Sequence, residues 1–244
     1  MDTGTYSAAS ALLAALRTQE VTAHNLANVN TPGFKRRLAA LQPFQEHLAA
    51  AQGEPTGTTP EGVTIDFARG PIDHTGNPLD LALEGEGFFV LRGPQGQLYS
   101  RQGNFTLDGS GRIVDSVGRP LLGEGGGELT VPTDTTAIRV DQEGRVFADD
   151  TEVGKVWVVD VAKPRAFVPA AYTAFALPPD GPAPHTVERA CVMQGALEGS
   201  NTNPIDELVS MITTLRSFET AQRSLASLAD TTDMLTRAAQ NTGS

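Results

Sequence analysis

The feature that most limits the possible folds is a change of period along the chain. Between residues 63 and 190 the apolar residues come in short β-rich runs. VTIDFA, LDLALEG, GFFVLRG, QLYSRQG, NFTLD, RIVD, AIRVD, RVFAD and KVWVVDV are each bounded by Gly, Pro, Asn or Asp. Outside that stretch the spacing becomes three to four, the period of a helix. Ala9, Leu12, Leu16, Ala23 and Leu26 follow it near the start if Gln19 takes one position, with Leu13 and Ala27 widening the stripe. Leu208, Met211, Leu215, Phe218, Leu225 and Ala229 follow it near the end, with Gln222 inside the series and Leu228 and Leu235 beside it. The fold class this predicts is α+β: an all-β central domain of antiparallel hairpins flanked by N- and C-terminal coiled-coil-like helices.

Turn chemistry supports the hairpins. Leu107-Asp108-Gly109-Ser110-Gly111-Arg112-Ile113 matches Val140-Asp141-Gln142-Glu143-Gly144-Arg145-Val146. Asp followed three residues later by Gly suits a type I turn with a left-handed bulge glycine. Gly93-Pro94-Gln95-Gly96 is a looser relative. The helix ends are equally legible. Pro32 forces Thr31 out of the helical region, so the first helix stops near Asn28–Asn30. Asn203 is an N-cap, Pro204 suits the first helical position, and Asp206 and Glu207 suit the positive end of the dipole. The expected divisions are an N-terminal helix and signature over 1–35, a linker or long loop over 36–62, the β-rich domain over 63–190 and a C-terminal helix over 191–244. Neither narrow helical stripe is apolar enough to order its helix alone. The two must pair within the chain, or wait for surface supplied by neighbouring subunits.

Chemistry is thinly represented. Ser110 and Ser200 sit in no nucleophile elbow, and His24, His47, His74 and His185 are scattered. Asp73-His74 lies in a turn-like phrase, and Glu84 with Glu86 reads as a solvated strand edge. Cys191, the only cysteine, has an apolar context that suits a buried structural thiol. No catalytic residue, cofactor site or metal site is expected. The net charge is −11, and residues 49–190 carry eleven Lys/Arg against twenty Asp/Glu. With Lys35-Arg36-Arg37 the only basic cluster, nucleic acid is not an expected partner. Aromatics at 6% offer no large aromatic core. No cleavable signal is apparent at the N-terminus, and no stretch is apolar enough to span a membrane.

One phrase is more specific than a helix end requires. Asn25-Leu26-Ala27-Asn28-Val29-Asn30-Thr31-Pro32-Gly33-Phe34-Lys35 resembles the N-terminal signature of bacterial flagellar basal-body rod and hook proteins. Gly76-Asn77-Pro78-Leu79-Asp80-Leu81-Ala82-Leu83-Glu84-Gly85-Glu86-Gly87-Phe88-Phe89 is similar to the entry of that family's β-domain. Gln194-Gly195-Ala196-Leu197-Glu198-Gly199-Ser200-Asn201-Thr202-Asn203 resembles the phrase before its C-terminal helix. The resemblance implies a structural subunit that stacks helically into the rod, transmits motor torque to the hook and is needed for motility. Its partners would be other rod subunits, copies of itself and the flagellar type III export apparatus, with no small-molecule substrate. Its place would be the periplasm-spanning rod of the basal body, reached without a cleaved signal peptide.

The resemblance also assigns roles. Asn25, Asn28 and Asn30 would bond backbone at the helix end and on neighbouring subunits, Pro32 and Gly33 would fix the exit turn, and Phe34 would anchor it. Leu26, Ala27 and Thr31 complete the assembly signature. Leu12, Leu16, Leu208, Met211, Leu215, Phe218 and Leu225 would form the helix interface. Within the family, Leu215-Arg216-Ser217-Phe218-Glu219 leans toward the proximal rod subunit. The alternatives are the distal rod subunit and a non-flagellar helical adaptor with a β-domain. A secreted carbohydrate-binding or hydrolytic β-domain is poorly supported, because Trp157 lies inside an apolar run.

Overall fold

The computed structural model describes residues 3–39, 63–162, 164–187 and 190–241. Most of the 36–62 segment read as a linker, residues 40–62, lies outside the described residues. Two compact units emerge. One gathers the two long helices and a small hairpin; the other gathers residues 28–36 and 67–202.

In the first unit, α1 (Thr3–Ala27) pairs with α2 (Pro204–Asn241), and β1 (Arg37–Ala39) pairs antiparallel with β2 (Val63–Ile65). The start of α2 follows from its sequence: the Asn203 side chain accepts the Ile205 amide at 3.0 Å, and Pro204 has no amide to satisfy. Several hydroxyls further along, among them Thr213, Ser217 and Thr220, bond the carbonyl four residues back and so stay on the helix.

The second unit is antiparallel throughout. Its largest sheet has six strands in the order β13 (Val168–Ala171), β14 (Ala174–Ala176), β6 (Gly96–Ser100), β5 (Phe88–Gly93), β12 (Val158–Asp160) and β15 (His185–Thr186). A three-stranded sheet joins β11 (Thr151–Lys155), β10 (Arg145–Ala148) and β9 (Ile138–Val140). Three pairs complete it: β7 (Thr106–Leu107) with β8 (Ile113–Val114), β4 (Leu81–Glu84) with β16 (Cys191–Gln194), and β3 (Ile72–His74) with β17 (Ala196–Glu198). The Asp73-His74 turn expected from sequence is therefore strand.

Strand β5 explains where the core lies. Phe88, Phe89, Val90 and Leu91 are all buried, so both faces of the strand are covered rather than one. Phe89 meets Phe105 edge-on at 5.4 Å within the main core, alongside Leu81, Leu121 and Val156. Phe88 faces the other way, into Phe67, Phe167 and Phe175. Aromatics are few, but they are concentrated. The composition alone hid a real aromatic cluster, because edge-to-face packing needs several rings in one place rather than many in the chain.

The repeated turns adopt the expected geometry, and there are three. Asp108, Asp115 and Asp141 each accept the amides two and four residues on with one carboxylate oxygen and the arginine Nε four residues on with the other. The glycine in each, Gly111, Gly118 and Gly144, has a positive φ. The Asp115-Ser116-Val117-Gly118-Arg119 copy has the same D-x-x-G-R spacing, and the spacing was the signal that could have found it. Hydrogen bonds from Arg112 hold the Asp108 carboxyl below its usual pKa. At Asp141 slight burial pushes the other way, and the bonds from Arg145 and its neighbours outweigh it.

Candidate assembly site

The N-terminal signature is divided between the units. In the helical unit, buried Asn25 turns back on the chain: its Nδ2 donates to the Arg37 carbonyl at 2.8 Å, and its Oδ1 accepts the Arg37 amide at 2.9 Å. That two-point clamp ties the last turn of α1 to the start of β1. Leu26 is half-buried and Ala27 is exposed. Beside Asn25, burial lowers the pKa of His24, and the charge of Arg37 lowers it further.

From Asn28 onward the phrase belongs to the β unit. The Asn28 carbonyl accepts the Thr31 amide, the Thr31 hydroxyl donates to the Asn28 side chain, and the Thr31 carbonyl accepts the Phe34 amide. Asn30 is exposed and Pro32 half-buried. Gly33 has φ +66°, and a Cβ there would lie 2.3 Å from the Gln102 amide nitrogen and 2.4 Å from the Arg101 carbonyl carbon. Only glycine meets both conditions. Phe34 is buried next to it.

Sequence reasoning missed what comes next. Lys35, read as part of a solvated basic run, is 3% exposed, and its Nζ donates to Glu198 Oε1 at 2.6 Å and to the Ala68 carbonyl at 2.8 Å. Glu198 is equally buried, and its other oxygen meets Arg101 at 3.2 Å. Arg101 in turn donates to the Gly85 carbonyl at 2.7 Å. Burial lowers the pKa of the Arg101 guanidinium, and Glu198 offsets part of that. The Asn201 side chain adds a second tie, accepting the Arg36 amide at 2.7 Å and donating to the Ala68 carbonyl at 2.9 Å. The three quoted phrases thus converge on one buried polar knot. Its signal was a Lys and a Glu each embedded in a motif, but pairing over 163 positions has no local signature.

The helices show a different pattern. Among the described side chains, the buried positions on α1 are Ala15, Thr22 and Asn25, and on α2 Glu207, Thr214 and Ala221. Thr22 and Ser210 face each other across the pair, Oγ to Oγ 3.5 Å. Large apolar residues lie elsewhere: Leu208 is 48% and Leu215 41% exposed, and Ile205, Val209 and Ile212 are exposed beside them. On α1, Leu13 and Leu16 are exposed. Leu12, Met211, Phe218 and Leu225 are half-buried.

Cys191 is partly exposed on β16 rather than buried, because it lies opposite Glu84 at the strand end. Burial raises its pKa, and the Glu84 carboxylate 3.5 Å from its Sγ raises it further, so the thiol stays protonated at neutral pH. Among the described residues no group of three His, Cys, Asp or Glu side chains is placed to hold a metal ion, and no helix is long and apolar enough to cross a membrane.

A helical unit and a β unit, with three separated phrases meeting in the latter, define a modular structural subunit. Residues 6–35 match the family described as "Flagella basal body rod protein", residues 82–148 the "Flagellar hook protein FlgE/F/G D1 domain", and residues 193–238 the "Flagellar basal body rod FlgEFG protein C-terminal". The chain belongs to the flagellar basal-body rod protein family. It is 31% identical to the flagellar basal-body rod protein FlgF of Caulobacter vibrioides, over 98% of this chain and 97% of that protein. FlgF of Salmonella typhimurium is 32% identical over 93% of the chain and 94% of its own length. The rod protein FlgG of Agrobacterium fabrum is 30% identical over 82% of the chain and 85% of its own length. The more extensive FlgF alignments favour that branch. Membership makes this a structural component of the flagellar basal body that assembles with other rod subunits, in a family of rod proteins rather than enzymes.

Proposed function

We propose that this chain is the FlgF-type, proximal subunit of the rod. It assembles helically through its terminal helices and passes motor torque toward the hook. The observation that carries this reading is the mismatch on the helices. The buried positions described on α1 and α2 are Ala, Thr, Asn and Glu, while Ile205, Leu208, Val209, Ile212 and Leu215 form an apolar stripe left in solvent. A stripe of that kind, on a helix already paired along another face, is suited to neighbouring subunits. Buried positions seven residues apart, Ala15 and Thr22 on α1 and Glu207, Thr214 and Ala221 on α2, support coiled-coil-like packing. Delivery by the flagellar type III export apparatus accompanies this role.

The test is complementation of a strain lacking its FlgF-type subunit with the chain carrying Leu208→Ser, Ile212→Ser and Leu215→Ser. The variant should purify as a folded protein with unchanged helix content, yet fail to restore swimming and be absent from isolated basal bodies. Full motility with normal incorporation would refute the assembly face. Rescue of a strain lacking the FlgG-type subunit instead would reassign the chain to the distal position.

A further inference from the structure

The knot joins two stretches that are remote in sequence, and each stretch donates hydrogen bonds to the other. Lys35 and Glu198 are both buried and 2.6 Å apart. The Gly33 amide donates to the Glu198 carbonyl at 2.7 Å, and the Asn201 amide to the Phe34 carbonyl at 3.4 Å. The Arg36 amide ends on the Asn201 side chain, and the Gly70 amide on Glu198 Oε1 at 3.0 Å. Docking residues 28–36 alone would bury the Lys35 ammonium without the Glu198 carboxylate, which is far costlier than leaving it in water, whereas residues 194–202 docked alone would keep Glu198 on Arg101 and forgo the Lys35 and Gly33 bonds. By contrast, β5–β6, β7–β8 and β9–β10–β11 close between neighbours in sequence and use none of these groups.

We propose that residues 28–36 and 194–202 form one latch that opens and closes as a single cooperative unit, distinct from the hairpins around it. Residues 28–36 are not ordered without residues 194–202, and residues 194–202 lose the Lys35, Gly33 and Arg36 ties when 28–36 leave. The phrase that follows α1 is therefore fixed only after residues near 198 have joined the β unit, and the chain stays unlatched until its two ends are both present. This conformational device rests on the geometry within the β unit alone, and holds whatever the subunit's place in the rod.

The test is amide hydrogen exchange of the intact chain in low concentrations of denaturant, read at Gly33, Arg36, Gly70 and Asn201 and compared with β5 and β6. These four amides should share one opening isotherm, lying below that of the strands. Lys35→Met should speed exchange at all four by a common factor of at least tenfold, leaving β5 and β6 unchanged. Glu198→Gln, which leaves two buried cations facing a neutral amide, should give the same pattern with a larger factor. If that chain does not fold, Lys35→Met decides alone. Acceleration confined to Gly33 and Arg36 would overturn the latch, since the C-terminal stretch would then hold by itself. Acceleration spread equally to β5 and β6, or a wild-type isotherm merged with theirs, would overturn it too.

Discussion

The two units are stabilised in opposite ways. In the β unit the large apolar side chains are inside: Phe89, Phe105, Leu91 and Val146 are almost completely buried. In the helical unit the inside is small and polar, Ala15, Thr22, Thr214 and Ala221, while Leu13, Leu16, Leu208 and Leu215 face solvent. One unit has completed its core from its own sequence; the other has apolar surface in reserve. Burial of apolar area stabilises at about 25 cal/mol per Å², so leaving several leucines exposed keeps that energy available for association. On the proposed reading, the difference locates self-sufficiency in the middle of the chain and dependence on partners at its ends.

Breaking the β core should have the largest effect. Phe89→Ala is expected to remove about 3–5 kcal/mol, measured by denaturant unfolding followed at Trp157. Gly33→Ala comes next, at about 2–4 kcal/mol, since it combines a positive φ with a backbone clash. The control is Gly76→Ala, where φ is also positive but the space is open, and the loss should be clearly smaller. Asp115→Ala should cost about 1–3 kcal/mol, because its buried carboxylate satisfies two amides and Arg119. The equivalent change at half-buried Asp108 should be milder in the same assay. Leu208→Ser with Leu215→Ser should move the stability of the isolated chain by no more than about 0.5 kcal/mol, sharpening the contrast with Phe89.

The smallest expected effect is a pH dependence confined to the helical unit. The folded-state pKa of His24 lies below its ordinary value of 6.5, through burial and then the Arg37 charge. The unfolded chain therefore binds the proton more readily. Its contribution is present above pH 6.5 and is lost as pH falls through the folded pKa. A helix-specific melt across that window should weaken on acidification, and His24→Gln should flatten the dependence. Asp108 and Asp141, whose pKa values are depressed, act on the β unit only at lower pH: their contribution is present above about 3.8 and lost as pH falls through the folded values.

The contrast also marks what was legible in the sequence. Helix periodicity, the Asn203 cap and the D-x-x-G-R turns are local codes, and they gave the α+β architecture and most strands from Val63 to Asp160. β13 to β17 were not read, because Val168–Ala171 contains Pro169 and the others are runs of two to four residues; β16 and β17 lie in the stretch 191–244 expected as C-terminal helix, where the helix begins only at Pro204. The helix stripe was read as one apolar face. Among the positions the structure buries on the helices are Thr22, Thr214 and Ala221, residues that a hydrophobicity pattern passes over. At the knot, Lys35 looked like part of a solvated run because its partner Glu198 is supplied by the far end of the chain.

The most direct test of this division is a thermal melt of the purified chain followed with two probes. Trp157, the only tryptophan, lies in the β unit, and its fluorescence reports that unit. The far-UV helical signal reports chiefly α1 and α2. If the ends depend on assembly, the helical signal is lost at a distinctly lower temperature than the Trp157 transition, and raising protein concentration narrows the gap. Coincident transitions at every concentration would mean that the helices are as self-sufficient as the β unit, contradicting the account.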